Sequence, residues 1–202
     1  MTGDSKTSLA LTREALGEGA EPLDLMTNYM IPAMDEVGRL FECEEYFVPE
    51  LLLSGRAMKA ALDLIRPLLT ARGIQPVGRV IIGTVKGDLH DIGKNLVASM
   101  LEGGGFDVID LGADVPPEKF IEAVKDKGAQ IVCLSALLTV TMPAMKTTIE
   151  ALKAAGVRDS IKILVGGAPV TSQYATEIGA DGFGENANSA VALTRRLLAQ
   201  GN

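Results

Sequence analysis

The chain has 202 residues, 47% of them hydrophobic and 22% charged. That is enough for one large or two small globular domains and too apolar for a disordered tail. Aromatic residues make up 4%, with no Trp, which argues against a stacking platform for single-stranded nucleic acid. The formal net charge is −7: residues 1–72 hold 7 Lys/Arg against 12 Asp/Glu, and residues 73–202 hold 12 against 14. An acidic surface repels phosphate backbones and anionic lipid, so no nucleic-acid and no membrane partner is expected.

In chain order, Asp4, Lys6, Arg13 and Glu14 interrupt the first apolar stretch. They leave no signal-peptide core, and a cytoplasmic location is expected. A helix is predicted near residues 8–16. From Pro22 to about Arg72 the pattern stays helical, with Pro22, Pro32 and Pro49 each placed where a first helical turn tolerates the missing N–H. The clearest of these helices carries Leu51, Leu52, Gly55, Met58, Leu62, Ile65 and Leu69 at three- and four-residue spacing, which is one apolar face. Together they predict a four-helix bundle over residues 1–72. Gly73, Pro76 and Gly78 then break the pattern, giving a linker over 73–78 and a second domain over 79–202.

The second domain alternates short apolar runs with amphipathic stretches. Strands are predicted at 79–85, 106–111, 130–134, 162–165 and, weakly, 181–183. Helices are predicted near 92–102, 117–127, 142–155, 170–178 and 187–199. Regular strand–helix alternation implies an α/β fold with a parallel five-stranded sheet covered on both faces, flavodoxin-like (Rossmann-type), because each crossover packs back with right-handed sense. Ligands in such sheets bind beyond the C-terminal strand edge. The longest uncharged run, residues 128–145, contains Gln130, Ser135 and Pro143 and is shorter than the roughly 20 apolar residues of a spanning helix. Cys43 and Cys133 form no C-x-x-C pair and imply no disulfide scaffold; Cys133 reads as a small core residue.

The informative residues fall on the ligand edge. His90, the one histidine of the chain, lies in Gly87-Asp-Leu-His-Asp-Ile-Gly-Lys94, directly after the first strand. Asp88 can accept a hydrogen bond from one ring nitrogen, which fixes the tautomer and makes the other nitrogen a better ligand or base. Gly87 and Gly93 leave room for something bulky. Taken alone, the pattern also reads as a loop held by an Asp that caps the next helix. One His and two remote Cys do not make a protein-only zinc site, and neither a G-x-S-x-G elbow nor a phosphate-binding glycine pattern is present. If His90 binds a metal, the remaining ligands must come prebuilt in a macrocycle. Two further features end later strands: Ser135-Ala-Leu137, separated from Gly93 by 41 residues, and Gly166-Gly167, a further 28 residues on. Each is common in turns; together they outline a slot with a hydroxyl on one wall and bare backbone on the opposite one.

Asp88-x-His90-x-x-Gly93, Ser135-x-Leu137 and Gly166-Gly167 resemble the three-part signature of cobalamin-binding domains that hold the cofactor with its nucleotide base displaced. Met34-Asp-Glu-Val-Gly-Arg-Leu-Phe41, Phe47-Val-Pro-Glu-Leu-Leu52 and Ala57-Met-Lys59 are similar to the helical cap of methionine synthase and of the small corrinoid proteins of methyltransferase systems. The resemblance runs from about residue 20 to the C-terminus and is closest to the stand-alone carriers of the methanol and methylamine type. It implies a cobalamin or related corrinoid (cobalt), with His90 as the lower cobalt ligand and Asp88 as its partner. It also implies that Ser135, Leu137, Gly166 and Gly167 line the slot for the nucleotide tail, and that Gly87, Asp91, Ile92, Gly93 and Thr139 lie along the cofactor. Thr141 stands where the methionine synthase pattern has a Ser that extends the His–Asp hydrogen-bond chain. Asn186-Ala187 departs from the Asp-Ala of many carriers.

The function so implied is a methyl carrier, working between a substrate:corrinoid methyltransferase and a second methyltransferase that passes the methyl group to tetrahydrofolate or coenzyme M. A reductive activase would serve oxidised cobalt. Phe47, Val48, Leu51, Leu52 and Met58 are candidates for a cap over the methyl face, although their spacing equally suits ordinary bundle core. The alternative is the cobalamin-binding subunit of a mutase dependent on adenosylcobalamin, which shares the His-bearing domain and lacks the helical cap.

Overall fold

A computed structural model of the protein describes residues 4–200. The chain divides into two compact units, one of residues up to Val77 together with Ser99–Phe106, the other of Gly78–Ala98 and the residues from Asp107 onward.

The first unit is helical. Helix α1 (Ser5–Gly17) starts at Asp4, whose carboxylate accepts from the Lys6 N–H at 3.0 Å, as an N-cap should. Helix α2 (Pro22–Asp24) passes through a π-helical turn, Leu25–Met30, straight into α3 (Ile31–Glu42). Pro32 therefore does not open a separate helix, as its position in the sequence suggests; it sits inside one continuous rod. The wide turn explains how. The Ile31 N–H already reaches back five residues to the Met26 carbonyl, so the chain is loosened where a proline would otherwise remove a bond and strike the preceding turn. Helix α4 (Val48–Ala71) buries Leu51, Ser54, Gly55, Met58, Leu62, Ile65 and Leu69, the stripe its three- and four-residue spacing predicts. Of the cap candidates, Leu51 and Met58 are buried and Leu52 is half-buried. Phe47 and Val48 are exposed. Gly73, at φ +73°, closes α4: its N–H donates to the Thr70 carbonyl and that of Ile74 to the Leu69 carbonyl, a left-handed helix end that glycine adopts without steric cost. The end of the next helix belongs with this unit. Ser99 lies against Gly55, Glu102 pairs with Lys59, and the Phe106 carbonyl accepts from Arg66 at 3.1 Å.

The second unit is a parallel sheet with strands β1 (Arg79–Thr84), β2 (Asp107–Asp110), β3 (Ile131–Ser135), β4 (Lys162–Gly166) and β5 (Gly182–Gly184), in the order β2-β1-β3-β4-β5 among the described residues. The connecting helices are α5 (Ile92–Gly103), α6 (Pro117–Lys127), α7 (Pro143–Ala154), α8 (Ser172–Glu177) and α9 (Ala187–Ala199). This is the flavodoxin-like order, with its switch point between β1 and β3. The central strands β1, β3 and β4 are buried on both faces, and the edge strands β2 and β5 are only half-buried. Ile81, Val132, Leu134, Ile163 and Val165 join one core with Phe120, Met145 and Leu152, while Val80, Ile82, Ile131, Cys133 and Leu164 are buried on the other side of the pleat. Burial pushes the Cys133 thiol up to about 12, so it is the inert core residue its strand position suggests. Asn186 caps α9, accepting from the Ser189 N–H at 2.8 Å. Asn caps as well as Asp, so the departure from Asp-Ala keeps the helix start.

Candidate functional site

The site is built on the loop between β1 and α5. Asp88 is fully buried, and His90 directly beyond it has its side chain half exposed. One carboxylate oxygen, Asp88 Oδ1, accepts from the His90 backbone N–H at 3.0 Å and lies 2.7 Å from His90 Nδ1. The other, Oδ2, accepts from the Leu137 N–H at 2.7 Å and the Thr141 hydroxyl at 2.6 Å, with the Leu138 N–H at 3.4 Å. Burial by itself would raise this carboxyl. The hydrogen bonds from Thr141, the His90 N–H and the Leu137 N–H outweigh it and hold Asp88 well below the usual carboxylate range.

An ionised carboxylate only accepts, so Nδ1 carries the proton in the His90–Asp88 bond. In the neutral ring Nε2 is then the nitrogen with the lone pair, on a half-exposed side chain whose other nitrogen Asp88 holds. The loops that carry His90 and Thr141 also leave apolar side chains in water. Leu89 and Ile92 are about three-quarters exposed, Val140 is 80% exposed, and Leu137 and Leu138 are roughly two-fifths exposed. Large apolar side chains gathered at one edge mark a surface meant to be covered.

The residues expected from sequence fall into two groups. Asp88, His90, Thr141 and the Leu137 backbone form one hydrogen-bonded unit. Gly93 in the first turn of α5 has open space where a Cβ would stand, whereas Gly87, at φ +86°, lies against Thr141; Asp91 and Ile92 are exposed beside the loop, and Thr139 is exposed on the loop after β3. Ser135 and Gly166 do not face each other from opposite walls as expected. They are register partners on adjacent strands, and Ser135 also pairs with Thr84, because all three end parallel strands at one level. Gly167 has its own structural reason. At φ +127°, a Cβ there would stand 1.9 Å from the Ala136 carbonyl oxygen, so its glycine is required by the backbone packing itself.

Sequence reasoning passed over three residues. Thr84 is fully buried and its hydroxyl donates to the His90 carbonyl at 3.0 Å. Lys94 is 2% exposed and pairs with Asp110, its ammonium also donating to Asn95 Oδ1 at 2.7 Å. Asn95 in turn donates to Asp91 at 3.1 Å, tying the end of the His loop to the end of β2. The position of Lys94 directly after Gly93 was its one signal; a lysine at a helix start usually reads as solvated. Asp114 contacts the loop from the β2–α6 connection, and nothing local announces it.

Among the described residues no group of three or more His, Cys, Asp or Glu is arranged to hold a metal ion. A flavodoxin-like sheet with one oriented imidazole and exposed apolar side chains at its switch-point edge suits a large cofactor that covers that edge. Comparison with known proteins agrees. A family described as "B12 binding domain" matches residues 78–192, and a second of the same description matches residues 1–66; the chain belongs to the B12-binding family of corrinoid proteins, and its cofactor is a corrinoid. Trimethylamine corrinoid protein 2 of Methanosarcina mazei is 45% identical over 200 residues, 98% of this chain and 92% of that one. A cobalamin-binding protein of Desulfitobacterium hafniense is similar in structure with a TM-score of 0.79 at 34% identity, covering 96% of this chain and 92% of that one. The methanol:cobalamin methyltransferase complex MtaBC of Methanosarcina barkeri matches with a TM-score of 0.86 at 29% identity, over 98% of this chain and 75% of that one.

Proposed function

We propose that the protein is a methyl carrier. In this reading it binds a corrinoid with the nucleotide base displaced and His90 Nε2 on cobalt, and works between a substrate:corrinoid methyltransferase and a second methyltransferase. The observation that carries the reading is the His90 Nε2, left free because Asp88 occupies Nδ1, at an edge with exposed apolar side chains. The corrinoid relatives support it, as does the likeness to a methanol:cobalamin methyltransferase complex.

When bound, the corrinoid supplies a cobalt centre that carries a methyl group and releases it as a cation equivalent. The chain's own residues do the rest. His90 presents a neutral nitrogen while it ligates and can take up a proton at Nε2 when it does not. Asp88, ionised and buried, keeps the ring in one tautomer and would stabilise the imidazolium. Thr141 holds Oδ2 of that carboxylate, so the second oxygen cannot swing toward the ring. Leu89, Ile92, Leu137, Leu138 and Val140 would meet the macrocycle and exclude water, and Ser135, Gly166 and Gly167 would border its nucleotide tail. The acceptor of the second methyltransferase is tetrahydrofolate or coenzyme M, and a reductive activase completes the expected set of partners.

The test is spectroscopic. Purified protein mixed with cobalamin should take up about one corrinoid per chain and show the spectrum of histidine-ligated, base-off cofactor. His90→Ala should lose that spectrum. No uptake by the native protein in any cobalt oxidation state, or an unchanged spectrum in the variant, overturns the reading.

A further inference from the structure

We infer that Asp114 is a positioning residue: from the β2–α6 loop it clamps the Gly87–Asp88 backbone and thereby sets the placement of the His90 imidazole. This rests on the reading of His90 as an axial ligand.

The clamp has two jaws. Asp114 Oδ1 accepts from the Gly87 N–H at 2.8 Å, and the Asp114 N–H donates to the Asp88 carbonyl at 2.9 Å. One residue of a neighbouring loop thus holds both ends of the dipeptide that leads into His90. Lys86, whose ammonium lies 3.1 Å away, pairs with the same carboxylate. The Gly87 N–H, followed by Lys86, holds the Asp114 carboxyl below its ordinary range. These bonds matter because Gly87, at φ +86°, has left the strand geometry and its backbone has no ladder of its own.

Asp114 is itself held in an uncommon conformation. Its φ is +54°, a left-handed geometry that is sterically unfavourable for a residue with a Cβ and that Asp and Asn tolerate best. Such strain persists where the surroundings over-determine it. Here they do: the Thr84 N–H donates to the Gly112 carbonyl at 3.0 Å, the Val115 N–H to the Thr84 carbonyl at 2.9 Å, and Val85 bridges Val115. The clamp is therefore bolted to the end of β1. From the other side, the Thr84 hydroxyl holds the His90 carbonyl. With both flanks of the loop fixed, the Asp88 carboxylate and the ring it orients have one available placement. An axial ligand must be held to roughly 0.5 Å and 10–20° to bind without an ordering cost.

Three substitutions separate the elements of the clamp. Asp114→Asn keeps an oxygen acceptor and tolerance of positive φ and loses only the charge facing Lys86. Asp114→Gly keeps the backbone geometry and loses the acceptor. Asp114→Ala loses the acceptor and is strained as well. In the cofactor-free protein, amide hydrogen exchange at Gly87 should be about tenfold faster in the Gly and Ala variants, the equivalent of one lost hydrogen bond, and near native in Asn. In cobalamin-loaded protein, the axial-nitrogen splitting in the cobalt(II) electron paramagnetic resonance spectrum should weaken in Gly and Ala and be retained in Asn. Thermal unfolding confirms that each variant is folded, and if Ala is not, Gly decides. Native exchange and native splitting in Asp114→Gly overturn the inference, even if Ala is impaired, because strain alone would then be responsible. Absence of axial-nitrogen splitting in the native protein instead overturns the proposed function, and the exchange measurement still tests the clamp.

Discussion

At the scale of single residues, the carboxylate of Asp88 organises the site. Fully buried, it is satisfied on one side by two donors of His90 and on the other by the Leu137 N–H and the Thr141 hydroxyl. A buried charge is tolerated only when its hydrogen bonds are made, and each bond to an ionised group contributes about 1.5–3 kcal/mol. Thr141→Val preserves shape and deletes one of them. Urea unfolding of the cofactor-free protein should accordingly show a loss of about 1.5–3 kcal/mol, while Thr141→Ser stays within about 1 kcal/mol of native because the hydroxyl remains. Equal stability of the Val and native proteins would mean that Oδ2 is held by the Leu137 N–H alone. The spacing from Ser135 to Thr141 pointed to this residue, but only the fold brings it across 53 positions to Asp88.

At the scale of elements, the glycines of the motif divide by what they serve. Gly93, in the first turn of α5, has nothing within 4 Å of where a Cβ would stand, whereas Gly167, after β4, has the Ala136 backbone there. The chain itself demands glycine at 167 and makes no such demand at 93, where the proposed reading places the corrinoid. Gly93→Ala should leave the cofactor-free protein as stable as native or stabilise it by up to about 1 kcal/mol, since alanine favours a helix, yet weaken corrinoid uptake. Gly167→Ala should cost on the order of 3 kcal/mol or prevent folding, with no corrinoid needed to reveal it. A calorimetric comparison of the cofactor-free proteins, followed by cobalamin titration, distinguishes these outcomes; a Gly93→Ala protein that binds cobalamin as native does would remove Gly93 from the cofactor surface. The register is what residue type alone does not give. Thr84, Ser135 and Gly166 sit side by side because β1, β3 and β4 end together.

At the scale of the whole molecule, charge is unevenly distributed. Residues 1–72 carry −5 of the net −7. No helix among the described residues is long and apolar enough to cross a membrane. If the α/β edge holds the corrinoid as proposed, the acidic helical unit is the surface expected to attract a methyltransferase of basic character. If the protein carries methyl groups between enzymes, its methylated form should lose the group slowly alone and quickly with a cognate methyltransferase and acceptor. Raising salt from about 50 to 300 mM should slow the encounter severalfold, because screening shortens the reach of the steering field. Stopped-flow loss of the methyl–cobalt absorbance measures both. A salt-independent rate would exclude steering by the acidic unit, and fast turnover by the isolated chain would identify a complete enzyme.

Local patterns in the sequence were sufficient for the alternation of strands and helices, the α4 stripe, the break at Gly73, and the His90 loop with Asp88 beside it. Each of these depends on residues near in the chain: hydrophobic period, proline and glycine stops, and a two-residue reach from carboxylate to imidazole. Tertiary structure decided the rest. The π turn that carries the chain past Pro32, the side-by-side placement of Ser135 and Gly166, and the hydrogen bonds of Thr84, Lys94 and Asp114 to the loop and its surroundings arise only when strand ends distant in sequence are brought to one edge. Of these, Asp114 is the clearest case. Its left-handed backbone and its grip on Gly87, 27 positions away, follow from parallel pairing of β1 with β2, and no local propensity encodes that pairing.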